Sequence, residues 1–77
     1  MKFNSLDNDI IFYAFRYCLS KNTYAVSNVV EYLMKNWKRI SSDIRDKITE
    51  EILNAIENKE IGMDYNVKEW NKITNLK

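Results

Sequence analysis

Cys18 is the only thiol in the chain, and none of its 77 residues is histidine. A nucleophilic cysteine needs exposure and a neighbouring positive charge or base. Cys18 falls instead on the apolar side of a helical stretch, where a buried structural thiol is expected. General acid–base or triad chemistry would have to proceed without an imidazole. Gly62 stands alone, so no glycine-rich phosphate loop can be formed. No loop gathers carboxylates at calcium-binding spacing, and a zinc site lacks its usual ligands. These residues point to a protein that binds rather than catalyses, with no cofactor and no metal.

Three groupings exceed what a core requires. Asp46, Glu50, Leu53 and Glu57 recur at helical spacing and form one acidic ridge with an apolar anchor. Carboxylates in such a row can meet arginines and lysines of a partner, including a channel built for nucleic-acid phosphates. The ordinary alternative is a solvated helix face. Tyr13, Arg16, Tyr17, Lys21 and Tyr24 form a second group, of which Arg16, Tyr17 and Tyr24 are the candidate partner contacts. Tyrosine and arginine carry much interface energy, although tyrosines also rest at core edges with wet hydroxyls. The third group, Lys35, Lys38 and Arg39, precedes a turn and another helix, as in a helix-turn-helix reader. The helix that would enter the groove is acidic and phosphate would repel it, so complementing a helix C-terminus is the better role.

Four amphipathic segments must position these groups. The first spans about Asp7 to Leu19, capped by Ser5, with Ile11, Ala14, Phe15 and Cys18 on its central apolar face. Phe12 and Leu19 extend that face on one side, Ile10 and Tyr17 on the other. An arc this wide calls for burial on two sides, by the tail or by a second copy in a dimer that uses Phe12. Thr23 is the expected cap of the second helix, which runs to about Lys38 around Val26, Val29, Val30, Leu33 and Trp37. Glu31 and Lys35 are spaced to pair on its outer side. Ser41 or Ser42 caps the third helix, which buries Ile44, Ile48, Ile52, Ala55 and Ile56. It is expected to run to about Glu60 and to end at a left-handed Gly62. Asn66 then caps a short last helix, with Glu69 completing a capping box and Val67, Trp70 and Ile73 closing over the bundle. The expected fold is all-α: a compact bundle of three main helices plus a short C-terminal helix, in a single domain over residues 1–77.

Composition agrees with this outline. With no proline and one glycine, little interrupts a helix. A hydrophobic share of 45% is too high for a disordered chain of this kind. The net charge of +1 conceals a division. Residues 1–42 carry +3, residues 43–64 carry −4, and the tail carries +2, so one acidic helix lies between two basic segments. Residues Met1 to Ser5 lack the apolar core of a secretory leader, and Ile10 to Phe15 is too short a run to span a membrane. With a lone thiol, this points to the cytoplasm.

Phe15-Arg16-Tyr17-Cys18-Leu19, Thr23-Tyr24-Ala25-Val26, Trp37, Gly62-Met63-Asp64 and Trp70 together carry a resemblance. The chain resembles a family of small helical phage and prophage proteins with an R-Y-x-L…T-Y-x-V block and a closing G-M-D…W block. It departs at Ser20-Lys21-Asn22, where the pattern has a glycine and two arginines, so its turn is less basic. The resemblance implies a phage-type protein acting in the host cell, where proteins of this size without catalytic groups are often inhibitors. The implied partner is a host protein, such as a CRISPR effector or another nuclease complex, as with anti-CRISPR proteins. A small nucleic-acid-binding regulator and a phage structural subunit are the alternatives.

Overall fold

In a computed structural model that describes residues 3–21 and 25–76, every regular element is helical. Helix α1 is Ser5–Lys21, α2 is Val26–Asn36, α3 is Ser42–Glu57 and α4 is Asp64–Thr74. A 3-10 turn, Trp37–Arg39, continues α2. One hydrophobic cluster draws side chains from all four helices. Helix α4 packs against both α2 and α3, and α1 packs against the same two. At 11 residues α4 equals α2 in length.

Helix α1 begins earlier than expected, and its cap is Asn4 rather than Ser5. The Asn4 Oδ1 accepts from the Asp7 N–H at 2.9 Å, and the Asn4 carbonyl accepts from the Asn8 N–H at 3.0 Å. Ile11, Phe15, Cys18 and Leu19 are buried, whereas Ala14 is exposed on the flank. Asn8 is the polar member of this inner stripe. Its Nδ2 donates to the carbonyl of Asn4 at 3.0 Å and of Phe3 at 3.4 Å, while its Oδ1 accepts from the Ser41 N–H at 3.0 Å. A backbone bond from the Phe3 N–H to the Arg39 carbonyl at 3.0 Å lies beside it. The start of α1 is thereby tied to the junction before α3.

Thr23, the expected cap of α2, lies outside the described residues; Ala25 precedes the helix without a side-chain cap. Val26, Val30, Leu33 and Trp37 are buried and Val29 is half-buried, close to the anticipated stripe. The last turn tightens instead of running on as α-helix to Lys38. The Ile40 N–H is shared between the carbonyls of Asn36 at 3.2 Å and Trp37 at 3.3 Å. This tightening seats Ile40 in the core and frees Ser41 to cap α3, its Oγ accepting from the Ile44 N–H at 3.4 Å.

Helix α3 stops at Glu57, three residues short of its expected end, and the left-handed residue is Lys59 (φ 58°), not Gly62. The Lys59 N–H bonds to the Ile56 carbonyl at 3.1 Å and the Glu60 N–H to the Ala55 carbonyl at 2.9 Å, the two bonds of a Schellman ending. The early reversal delivers Ile61 to the core. Ile44, Ile48, Ile52 and Ala55 are buried as expected, and Ile56 only in part. Helix α4 likewise starts two residues before the expected cap at Asn66, so Asn66 is a buried helical residue whose Nδ2 approaches the Met63 Sδ at 3.7 Å. Glu69 pairs with Lys72 at 2.9 Å rather than closing a capping box. Trp70 and Ile73 are fully enclosed, and the Trp70 ring meets that of Phe15 edge-on at 5.3 Å.

Two outcomes follow for stability. Asn8→Ala leaves the Ser41 N–H without its acceptor and costs about 1–3 kcal/mol, read from urea unfolding. Lys59→Gly relieves a left-handed side-chain-bearing residue and raises stability by about 1 kcal/mol, an upward shift in Tm of about 4–8 °C for a domain of this size.

Candidate functional site

Helix α3 turns its isoleucines inward, so residues half a turn away must face outward. Lys47 and Glu51 lie on the side toward α1. The Lys47 Nζ stands 6.0 Å from the Phe12 ring centroid, and Glu51 pairs with Arg16. Asp46, Glu50 and Leu53 lie on the other side, each exposed, along an open groove between α3 and the C-terminal end of α4. The groove encloses about 590 Å³, and Trp37, Arg45, Thr49, Thr74 and Leu76 are among its other wall residues. Glu57 is exposed a turn further along α3 and does not line it. Among the described residues, Asp46, Glu50 and Glu57 form no ion pair. The arrangement offers hydrogen-bond acceptors beside an apolar anchor, a surface suited to guanidinium and ammonium groups.

Sequence reasoning missed Arg45 and Thr49 on the groove wall. The Thr49 hydroxyl donates to the Arg45 carbonyl at 3.0 Å. The Arg45 Nε is buried and has no hydrogen-bond partner among the described residues. Their i, i+4 spacing was visible, but nothing in it distinguished a groove wall from any other flank of α3. Trp37 was assigned to the core, which it joins while also reaching the groove.

The tyrosine and arginine group is divided. Arg16 is engaged within the chain by Glu51, with half of its side chain still accessible. Tyr17 is exposed, with the Lys21 Nζ 5.0 Å from its ring centroid. Tyr13 is exposed as well, and Tyr24 lies outside the described residues. Of the basic group, Lys35 faces Glu31 at 3.9 Å across solvent. The Arg39 guanidinium stacks 4.2 Å from the Phe3 ring centroid and donates to the Asn36 Oδ1 at 3.0 Å. It therefore serves the tie between α1 and the 3-10 turn.

Cys18 is buried as a free thiol, and desolvation pushes its pKa above the ordinary thiol value. Among the described residues, no three His, Cys, Asp or Glu side chains come together as a metal site, and no helix is long and apolar enough to cross a membrane.

The Cys18 environment fixes a sign. The folded state holds the thiol proton at pH values where the unfolded chain has released it, so this group destabilises the fold as pH rises above about 8.5. Cys18→Ala is expected to reduce the alkaline fall in stability relative to the parent chain, measured by urea unfolding across pH. Native protein is expected to react with a thiol reagent only as fast as it opens.

Compared with protein-family models, with curated proteins and with solved structures, the chain matches none.

Proposed function

We propose that this protein acts without catalysis, by binding and inhibiting a host protein, and that the acidic side of α3 is the surface that does so. The observation that carries this reading is the placement of Asp46, Glu50 and Leu53 along one open groove, with Glu57 extending the row. An exposed carboxylate row gains little from the chain's own fold, because among the described residues Asp46, Glu50 and Glu57 form no ion pair. It gains much from a partner that brings arginines and lysines to it, and such partners are typically proteins that hold nucleic acid. A nucleic-acid-processing or CRISPR-type defence complex has surfaces of that chemistry. The resemblance to small phage proteins supports the same setting. Direct binding of nucleic acid is the weaker reading. The helix that follows the turn carries the carboxylates, and the Arg39 guanidinium is stacked on Phe3.

The test is capture of host proteins by the full chain, then competition of the captured protein's nucleic-acid binding. Glu50→Lys with Glu57→Lys is expected to abolish capture while the fold survives, since exposed substitutions of this kind cost under about 0.5 kcal/mol each. Undiminished capture by the folded double variant would sink the acidic-face reading. Tight, salt-sensitive binding of the parent chain to bare DNA would replace it with a nucleic-acid regulator.

A further inference from the structure

Helix α1 carries two apolar seams, and the fold uses one. The inner seam, Asn8, Ile11, Phe15 and Cys18, is buried against the bundle. The outer seam is Leu6, Ile10, Tyr13 and Tyr17, and these side chains are 66%, 58%, 73% and 66% exposed. Their spacing of four, three and four residues is the alternation of d and a positions in a coiled coil. Such a seam is shaped for another helix, not for water. Phe12, the sequence-based choice for a self-contact, does not belong to it. That ring is half-buried, tilted against Phe15 at 6.0 Å between centroids and approached by Lys47.

We propose that the outer seam of α1 is the contact surface of a twofold homodimer in which the two α1 helices lie antiparallel, Ile10 of each copy against Tyr13 of the other.

Charge beside the seam selects both the occupant and the direction. Asp9 and Arg16 occupy the g positions that flank the a residues Ile10 and Tyr17. In an antiparallel pair, g positions face g positions. The register that sets Ile10 on Tyr13, and Leu6 on Tyr17, brings Asp9 of each copy to Arg16 of the other. The twofold axis makes that pair twice. Arg16 keeps half its surface accessible beside Glu51, and a guanidinium has donors enough for both carboxylates. A parallel pair would instead set g against e, placing Arg16 opposite Lys21 of the second copy, a repulsive contact. On the other side of the seam, Ile10 and Ala14 open into an almost wholly apolar groove of about 300 Å³ against Val29 and Tyr32 of α2. This groove widens the surface that a dimer would dehydrate. The acidic side of α3 faces away from α1, so this contact leaves the surface of the proposed function open, and either reading can fail without the other.

Sedimentation equilibrium of the full chain at tens of micromolar tests this. The parent chain is expected to be dimeric. Tyr13→Glu is expected to be monomeric with its helical circular dichroism retained, because the side chain it replaces is exposed. Asp9→Arg, which sets like charges together twice, is expected to weaken the dimer by more than about tenfold. A monomeric parent chain overturns the proposal. A folded Tyr13→Glu dimer overturns it by showing that another surface self-associates. A dimer indifferent to Asp9→Arg overturns the antiparallel register.

Discussion

The perpendicular contact between the Trp70 indole and the Phe15 ring joins the last helix to the first, and the rest of the fold is arranged around keeping that contact dry. Both rings have no exposed surface. Aromatic pairs at this separation add about 0.5–1.5 kcal/mol beyond the area they bury. The larger effect is topological. Trp70 reaches Phe15 from a helix that packs against both α2 and α3, whose Val26, Val30, Leu33, Ile48 and Ile52 are buried in the same core. Helix α4 is therefore part of the core, with Asn66, Trp70 and Ile73 buried.

This arrangement explains the endings of the neighbouring helices. If α3 ran to Gly62, Ile61 would be carried past the core. The reversal at Lys59 prevents this at the cost of a side chain in the left-handed region. The tightened turn after α2 does the same for Ile40. At the other end, Asn8 secures the start of α1 with three hydrogen bonds in a site shielded from water, where each counts for more than it would on the surface. These devices close a small core with no disulfide and with no metal cluster among the described residues.

Charge follows the same partition. The side of α3 toward α1 pairs Glu51 with Arg16, while the side toward the end of α4 keeps its carboxylates exposed. Helix α1 also has two unlike faces, one closed inside the bundle and one apolar face left to solvent. A chain of this size has too little surplus helix to cover every apolar stripe it makes. The surfaces left over are the acidic side of α3 and the outer side of α1.

The sequence by itself determined that the elements are helices and which residues form their buried stripes. Period, capping residues and the near absence of glycine and proline are local properties that act before any tertiary contact. It also determined that Asp46, Glu50, Leu53 and Glu57 share one face, because helical spacing alone sets that. Tertiary structure decided where helices stop, since Lys59 and the 3-10 turn answer to the burial of Ile61 and Ile40 rather than to their own propensities. It decided that Asn8 is a buried tie, which depends on Ser41, thirty-three residues away. It made Asp46, Glu50 and Leu53, but not Glu57, part of the wall of a groove by bringing Thr74 and Leu76 beside them. And it decided how the two stripes on α1 are finished. Phe15 is closed off completely with Trp70 edge-on beside it, while Tyr13 keeps most of its surface exposed because no element of the bundle reaches across to it.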